Sequence, residues 1–110
     1  VECLGSLLCR DGKNHSGLTC TEDCLAADIT APDIVQNGGL PVMVFFPGGA
    51  FIEGCTACDG GMYDSSTLSR NHGVVVVALN YRLSAFGFLA LVDTTISGNF
   101  GIMDQRAGLE

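Results

Sequence analysis

Two dense apolar runs constrain the fold of this chain more than any other feature of its sequence. VMVFF occupies residues 42–46, and VVVVAL occupies residues 74–79. Runs of this kind are typical of strands that are buried on both faces and need covering layers of helix. Because one convincing helix lies between them, the runs predict a strand, crossover helix, strand unit with parallel strands. The chain has more core than cover, so we expect it to be a piece of a longer protein.

Weaker signals predict the other elements. Alternating apolar and polar residues over 25–30 indicate a short strand, and Asn37-Gly38 is typical of a hairpin turn into the strand at 42–46. Polar caps predict the crossover helix over about 64–71. Residues 92–103 are expected to form a loop, and a further helix is expected to start at Asp104.

The charge balance excludes some classes of partner. The 110 residues include 12 acidic and 5 basic ones, giving a net charge of −7. Five scattered cations form no patch that neutralises phosphates, which argues against nucleic acid and against an anionic membrane surface. No apolar stretch approaches the length of a membrane span. At this length we expect one domain at most.

Six cysteines indicate disulfides and an oxidising compartment. The triplet Asn14-His15-Ser16 is an N-glycosylation acceptor, which agrees with a secreted or extracellular protein. Cys55-Thr56-Ala57-Cys58 has the spacing of a redox motif, but its glycine-rich surroundings favour a local disulfide or links to other loops. The alternative is a zinc site, whose ligands would be Cys20, Cys24, Cys55 and Cys58. We expect no metal and no cofactor.

A glycine-rich loop, Gly48-Gly49-Ala50-Phe51, follows the first apolar run directly. Glycines at this place let the backbone turn sharply and leave N–H groups pointing outward. Two such donors that converge on one point stabilise the oxyanion of acyl transfer. The alternative is an ordinary turn after a strand.

Several further motifs occur in a definite order. They are Glu22-Asp23-Cys24-Leu25, then LPVMV before GGAF, Tyr63-Asp64, VVVVALNYR at 74–82, FGFL at 86–89, and GNFG at 98–101 with Asp104-Gln105-Arg106. Together they resemble the type-B carboxylesterase family, which includes cholinesterases, secreted fungal lipases and the non-enzymatic neuroligins. The resemblance covers about Thr19 to Glu110.

The resemblance implies an α/β-hydrolase fold. The chain would supply the N-terminal part of the mixed central sheet, an early hairpin strand plus one βαβ unit, and would be incomplete by itself. Residues 1–24 are expected to form a cysteine-rich loop segment, and residues 25–110 the hydrolase portion. The implied activity is serine-dependent hydrolysis of a small carboxylic ester.

The resemblance also assigns roles to residues. The oxyanion donors would be the N–H groups of Gly49 and Ala50, with Gly48 shaping the turn. The nucleophilic serine needs a G-x-S-x-G context that occurs nowhere in this chain, so the chain alone is predicted to be inactive. The alternative is a catalytically inactive, cholinesterase-like adhesion or structural domain. Pro47 favours that alternative slightly, since many relatives have His, Tyr or Trp there.

Structural residues follow from the same resemblance. Cys24 is expected to form a disulfide with Cys9 or Cys3. Arg82 and Asp104 are expected to form a buried ion pair. Three other side chains near the loop have a functional and a structural interpretation, and the structural one is favoured: Glu53 as a solvated carboxylate, and Phe51 and Phe86 as core.

Overall fold

The computed structural model of the chain describes residues 2–3, 19–33, 38–58 and 63–110. These residues contain five strands and three helices. In chain order they are β1 (Glu2–Cys3), β2 (Cys20–Thr21), β3 (Ala27–Thr30), β4 (Val42–Phe45), α1 (Ser66–His72), β5 (Val75–Leu79), α2 (Ser84–Phe88) and α3 (Phe100–Ala107).

The main sheet has three strands in the order β3-β5-β4. β4 runs parallel to β5 with Val44 opposite Val77, and β3 runs antiparallel to β5 with Ile29 opposite Val77. Helix α1 connects β4 to β5, which confirms the predicted parallel unit. β5 takes the central place because it is an uninterrupted apolar strand that pairs along both edges.

The predicted hairpin between the strands at 25–30 and 42–46 is wrong. β3 and β4 run in opposite directions, as hairpin strands do, but β5 lies between them. The turn residue Asn37 lies outside the described residues. Residues 2–3 and 20–21 also pair, as a small parallel sheet, within a segment that we expected to be loop throughout.

Helix α1 ends where the sequence predicts. Gly73 adopts the left-handed conformation, with φ 62°, and its N–H donates to the carbonyl of Ser69. Arg70 lies in the last turn, where positive charge interacts favourably with the helix dipole. The C-terminal cap at Gly73 therefore fixes the end of this helix, whereas its N-cap residue, Ser65, makes no side-chain cap hydrogen bond.

Burial differs between the two apolar strands. In β5 the side chains of Val76, Ala78 and Leu79 are buried. In β4, by contrast, Val42 is 61% exposed, and the next two residues, Met43 and Val44, are exposed as well. Only the central strand is thus covered within the described residues. None of the helices in that part of the chain is long and apolar enough to cross a membrane.

Two helices follow β5. Helix α2 lies in the apolar segment 83–91, and α3 begins at Phe100 rather than at Asp104 as predicted. Asn99 precedes α3 in the left-handed conformation, with φ 59°. The first turn of α3 contains Gly101, which packs so closely that a Cβ there would lie 2.6 Å from the ring of Phe88. These tertiary contacts, which no local pattern shows, explain the earlier start.

Candidate functional site

The glycine-rich loop leaves β4 in an uncommon backbone conformation. Gly49, Ala50 and Phe51 have φ values of 141°, 54° and 63°. Left-handed conformations at Ala and Phe cost on the order of 1–3 kcal/mol each and persist only where the surroundings enforce them. The loop is therefore held in place by other parts of the protein.

The carbonyl of Gly49 closes a tight turn. It accepts hydrogen bonds from the N–H of Ile52 at 2.9 Å and of Glu53 at 3.1 Å. A Cβ on Gly49 would overlap the carbonyl oxygen of Glu53, so only glycine fits. Because the peptide group is planar and trans, the N–H of Ala50 points away from the turn that the Gly49 carbonyl faces.

The preceding peptide group has a second fixed orientation. The carbonyl oxygen of Gly48 lies so close to Gly54 that a Cβ on Gly54 would overlap it. The N–H of Gly49, which belongs to the same peptide group, therefore points away from Gly54. No acceptor among the described residues takes a hydrogen bond from the N–H of Gly49 or of Ala50. Two neighbouring donors thus have no partner within the part of the chain that the structure describes, and Ala50 is exposed.

A second loop, which we define as residues 80–84 and which runs from the end of β5 to the first residue of α2, holds the glycine-rich loop. The hydroxyl of Tyr81 donates to the carbonyl of Pro47 at 2.9 Å, and the N–H of Ser84 donates to the carbonyl of Phe51 at 2.7 Å. The Phe51 ring packs against those of Tyr81 and Phe88, with centroid distances of 6.2 and 5.0 Å. Burial raises the pKa of Tyr81, so its hydroxyl remains a donor at neutral pH.

Arg82 and Asp104 form a bidentate ion pair behind this loop. The Arg82 Nε and Nη2 atoms lie 2.7 Å from the two carboxylate oxygens of Asp104, and the Arg82 backbone N–H also donates to that carboxylate at 3.0 Å. Hydrogen bonding to Asp104 raises the pKa of Arg82. The Asp104 side chain is 6% exposed and that of Arg82 is 36% exposed, so the carboxylate of the predicted buried pair is buried and its guanidinium partly reaches solvent. The guanidinium also lies 5.2 Å from the Phe100 ring.

The cysteine pair after the glycine-rich loop is a local disulfide. Cys55 and Cys58 are bonded to each other and buried, which confirms the structural interpretation. The N–H of Thr56, between them, donates to the Asn80 Oδ1 atom at 2.9 Å, and its hydroxyl donates to the carboxylate of Asp28. The segment is thereby attached to both β3 and β5.

The disulfides contradict the zinc alternative, because zinc binds thiolates and a sulfur in a disulfide is no longer one. Cys20 and Cys24 are also disulfide-bonded, so all four of the cysteines considered for zinc are already bonded. The described residues contain no group of side chains suited to a metal ion. Of the two predicted partners of Cys24, Cys9 lies outside the described residues, whereas Cys3 lies in β1. Asn14 lies outside the described residues as well.

The structure brings some predicted residues together and separates others. Phe51 packs on the second loop yet remains 49% exposed, and Phe86 is exposed on α2. Tyr81 and Ser84, which hold the glycine-rich loop, were not among the residues predicted from the sequence. The available signal was a polar segment directly after a buried strand, since loops that follow adjacent parallel strands meet at one edge of the sheet.

The mixed sheet with its parallel unit is part of an α/β fold, and the similar solved structures are esterases of the α/β-hydrolase class. The carboxylesterase family model matches residues 4–110, so the chain belongs to the carboxylesterase family. This match begins upstream of Thr19, the residue at which the resemblance carried by the sequence motifs begins.

Comparisons with individual proteins agree with this family membership. The chain is 41% identical to liver carboxylesterase of Sus scrofa over 110 residues, covering 99% of this chain and 19% of that protein. It is 43% identical to a protein of Dictyostelium discoideum named Crystal protein, covering 93% of this chain and 18% of the relative. The solved structure of a thermophilic PNB esterase matches with a TM-score of 0.73 at 43% identity, covering 84% of this chain and 19% of that one. The chain thus spans about a fifth of the length of these relatives.

Proposed function

We propose that the complete protein hydrolyses small carboxylic esters through an acyl-serine intermediate, and that this chain supplies two donors of its oxyanion hole. The proposal rests above all on the N–H groups of Gly49 and Ala50, which have no acceptor among the described residues and lie in a loop of enforced geometry. Membership of the carboxylesterase family supports it.

The chemistry follows from these donors. When a serine attacks an ester carbonyl, negative charge develops on the carbonyl oxygen. Fixed N–H groups that point at that oxygen stabilise the charge without having to reorient. Loss of one such donor typically costs about 10²–10³ in turnover. The serine, the acid and the histidine would come from parts of the protein beyond residues 1–110.

Serine-directed labelling tests the proposal. We expect the complete protein to be labelled covalently by a fluorophosphonate and to hydrolyse p-nitrophenyl butyrate, with labelling abolishing hydrolysis. Absence of both labelling and hydrolysis in a folded protein would refute the proposal. A control treated with a fluorophosphonate hydrolysed beforehand separates covalent labelling from adsorption.

The alternative is a catalytically inactive adhesion or structural domain. The scaffold residues are the same under either function, because ion pairs and disulfides concern folding. A serine within a G-x-S-x-G motif downstream of residue 110 favours the esterase, and a different residue at the serine position favours the alternative.

We also propose secretion. Cys20, Cys24 and the Cys55–Cys58 pair are all disulfide-bonded, and disulfides persist in oxidising compartments. Under this proposal Asn14 carries a glycan. Treatment with an N-glycosidase should then increase the mobility of the secreted protein, and Asn14→Gln should reduce that shift by one glycan. Equal shifts in the wild type and in Asn14→Gln would refute glycosylation at Asn14.

A further inference from the structure

The peptide group between Pro47 and Gly48 begins the glycine-rich loop. One side chain, that of Tyr81, holds this peptide group. The Tyr81 hydroxyl donates to the carbonyl of Pro47, a bond that joins residues 34 positions apart in the sequence. Tyr81 is 6% exposed and Pro47 is buried as well. A buried carbonyl that loses its donor has no water to replace it, so this bond restrains the peptide group strongly.

The other peptide groups of the loop are held by separate contacts. The Gly49 carbonyl binds the turn at Ile52 and Glu53, and the Phe51 carbonyl accepts from Ser84. The peptide group that carries the N–H of Gly49 lies between the Pro47 and Gly49 anchors. Its orientation is therefore set by both, because each neighbouring peptide plane is fixed.

We propose that Tyr81 is a positioning residue for the oxyanion hole. Its hydroxyl holds the Pro47 carbonyl, and through it orients the N–H groups of Gly49 and Ala50. This inference rests on the proposed ester hydrolysis. The strained conformations at Ala50 and Phe51 support it, since strain of this kind survives only where surrounding contacts enforce it.

The matched experiment removes one hydroxyl at a time. Tyr81→Phe deletes the bond to Pro47, whereas Tyr63→Phe deletes a hydroxyl with no hydrogen-bond partner among the described residues, on a ring that packs against Phe45. In the complete protein we expect Tyr81→Phe to lower kcat for p-nitrophenyl butyrate about tenfold, because a displaced donor keeps part of its interaction. We expect KM to change less than twofold, and Tyr63→Phe to behave as the wild type.

A transition-state mimic separates positioning from general damage. The active-site serine adds to the carbonyl carbon of an alkyl trifluoromethyl ketone. The resulting hemiketal places its oxyanion in the oxyanion hole. Its inhibition constant should rise about tenfold in Tyr81→Phe, in step with kcat. An unchanged inhibition constant beside a lowered kcat would overturn the proposal, as would a kcat within twofold of the wild type.

Amide hydrogen exchange tests positioning without any activity. In Tyr81→Phe the amides of Ile52 and Glu53 should exchange faster, while those of β5 keep their protection. If the wild type hydrolyses no ester, the proposed function fails but this readout still decides the role of Tyr81. Unchanged exchange in the loop overturns that role, and so does an increase spread evenly over the sheet.

A second substitution covers the case in which Tyr81→Phe does not fold. Replacing Tyr81 with 3,5-difluorotyrosine keeps the ring and the hydroxyl but makes the hydroxyl more acidic. As pH rises, the ionised oxygen can no longer donate to Pro47, so kcat should fall at a lower pH than in the wild type. A pH profile identical to that of the wild type would overturn the proposal.

Discussion

Gly49→Ala tests the geometry of the glycine-rich loop by adding a single atom, the Cβ of residue 49. The added Cβ would overlap the carbonyl oxygen of Glu53 and lie 2.7 Å from its carbonyl carbon. The backbone φ of 141° is also one that residues with a side chain rarely adopt. The turn from Gly49 to Glu53 must therefore open.

The expected magnitude follows from what opens. Two hydrogen bonds to the Gly49 carbonyl are lost, at about 1 kcal/mol each. Residual backbone strain adds about 1–3 kcal/mol. We expect Gly49→Ala to lower the free energy of unfolding by about 3–5 kcal/mol in total, a large effect for one methyl group.

Gly48→Ala is the matched control. A Cβ on Gly48 has no neighbouring atom within 4 Å among the described residues, and its φ lies outside the left-handed region. We expect its free energy of unfolding to change by less than about 0.5 kcal/mol. Urea unfolding of the complete protein, followed by circular dichroism, measures both variants. Equal midpoints for the two variants would refute the inferred overlap at Gly49.

Three further predictions concern the surrounding contacts. Arg82→Ala should lower the free energy of unfolding by about 2–3 kcal/mol, because the buried carboxylate of Asp104 loses two charged hydrogen bonds to a guanidinium that partly reaches solvent. Arg106→Ala, in an exposed pair with Glu110, should cost less than about 0.5 kcal/mol in the same urea assay, and equal losses would contradict this. Replacing both Cys55 and Cys58 with alanine should cost about 2 kcal/mol, as expected for a short disulfide loop, and no change would show that Thr56 alone anchors the segment. Since burial raises the pKa of Tyr81 in the folded state, the unfolded state ionises first, so the free energy of unfolding should fall as pH rises above about 10, and this fall should be smaller in Tyr81→Phe.

Local patterns predicted the parallel unit well. The strand predicted over 42–46 occupies Val42–Phe45, and the one predicted over 74–79 occupies Val75–Leu79. The bounds of helix α1 lie within a residue or two of the predicted ones. Apolar runs, caps and left-handed glycines act through neighbours in the sequence, so the sequence alone contains this information.

Non-local contacts decided the remainder. The hairpin signal is local, but strand order depends on which strand buries most apolar surface, and β5 therefore separates β3 from β4. The left-handed conformations of Ala50 and Phe51 arise from contacts with the second loop. The bond from Tyr81 to Pro47 needs the folded sheet to bring its partners together.

The sheet itself explains why the two loops meet. β4 and β5 are adjacent and parallel, so the segments after them leave the same edge, where α/β proteins bind ligands. There the second loop contacts the first through Tyr81 and Ser84, while Arg82 attaches the second loop to α3. The donors of Gly49 and Ala50 are thus held by contacts within this chain. Under the proposed esterase function, replacing the nucleophilic serine should therefore abolish turnover without changing hydrogen exchange at Ile52 and Glu53. Faster exchange there would show that the proposed oxyanion hole is assembled only with the serine in place.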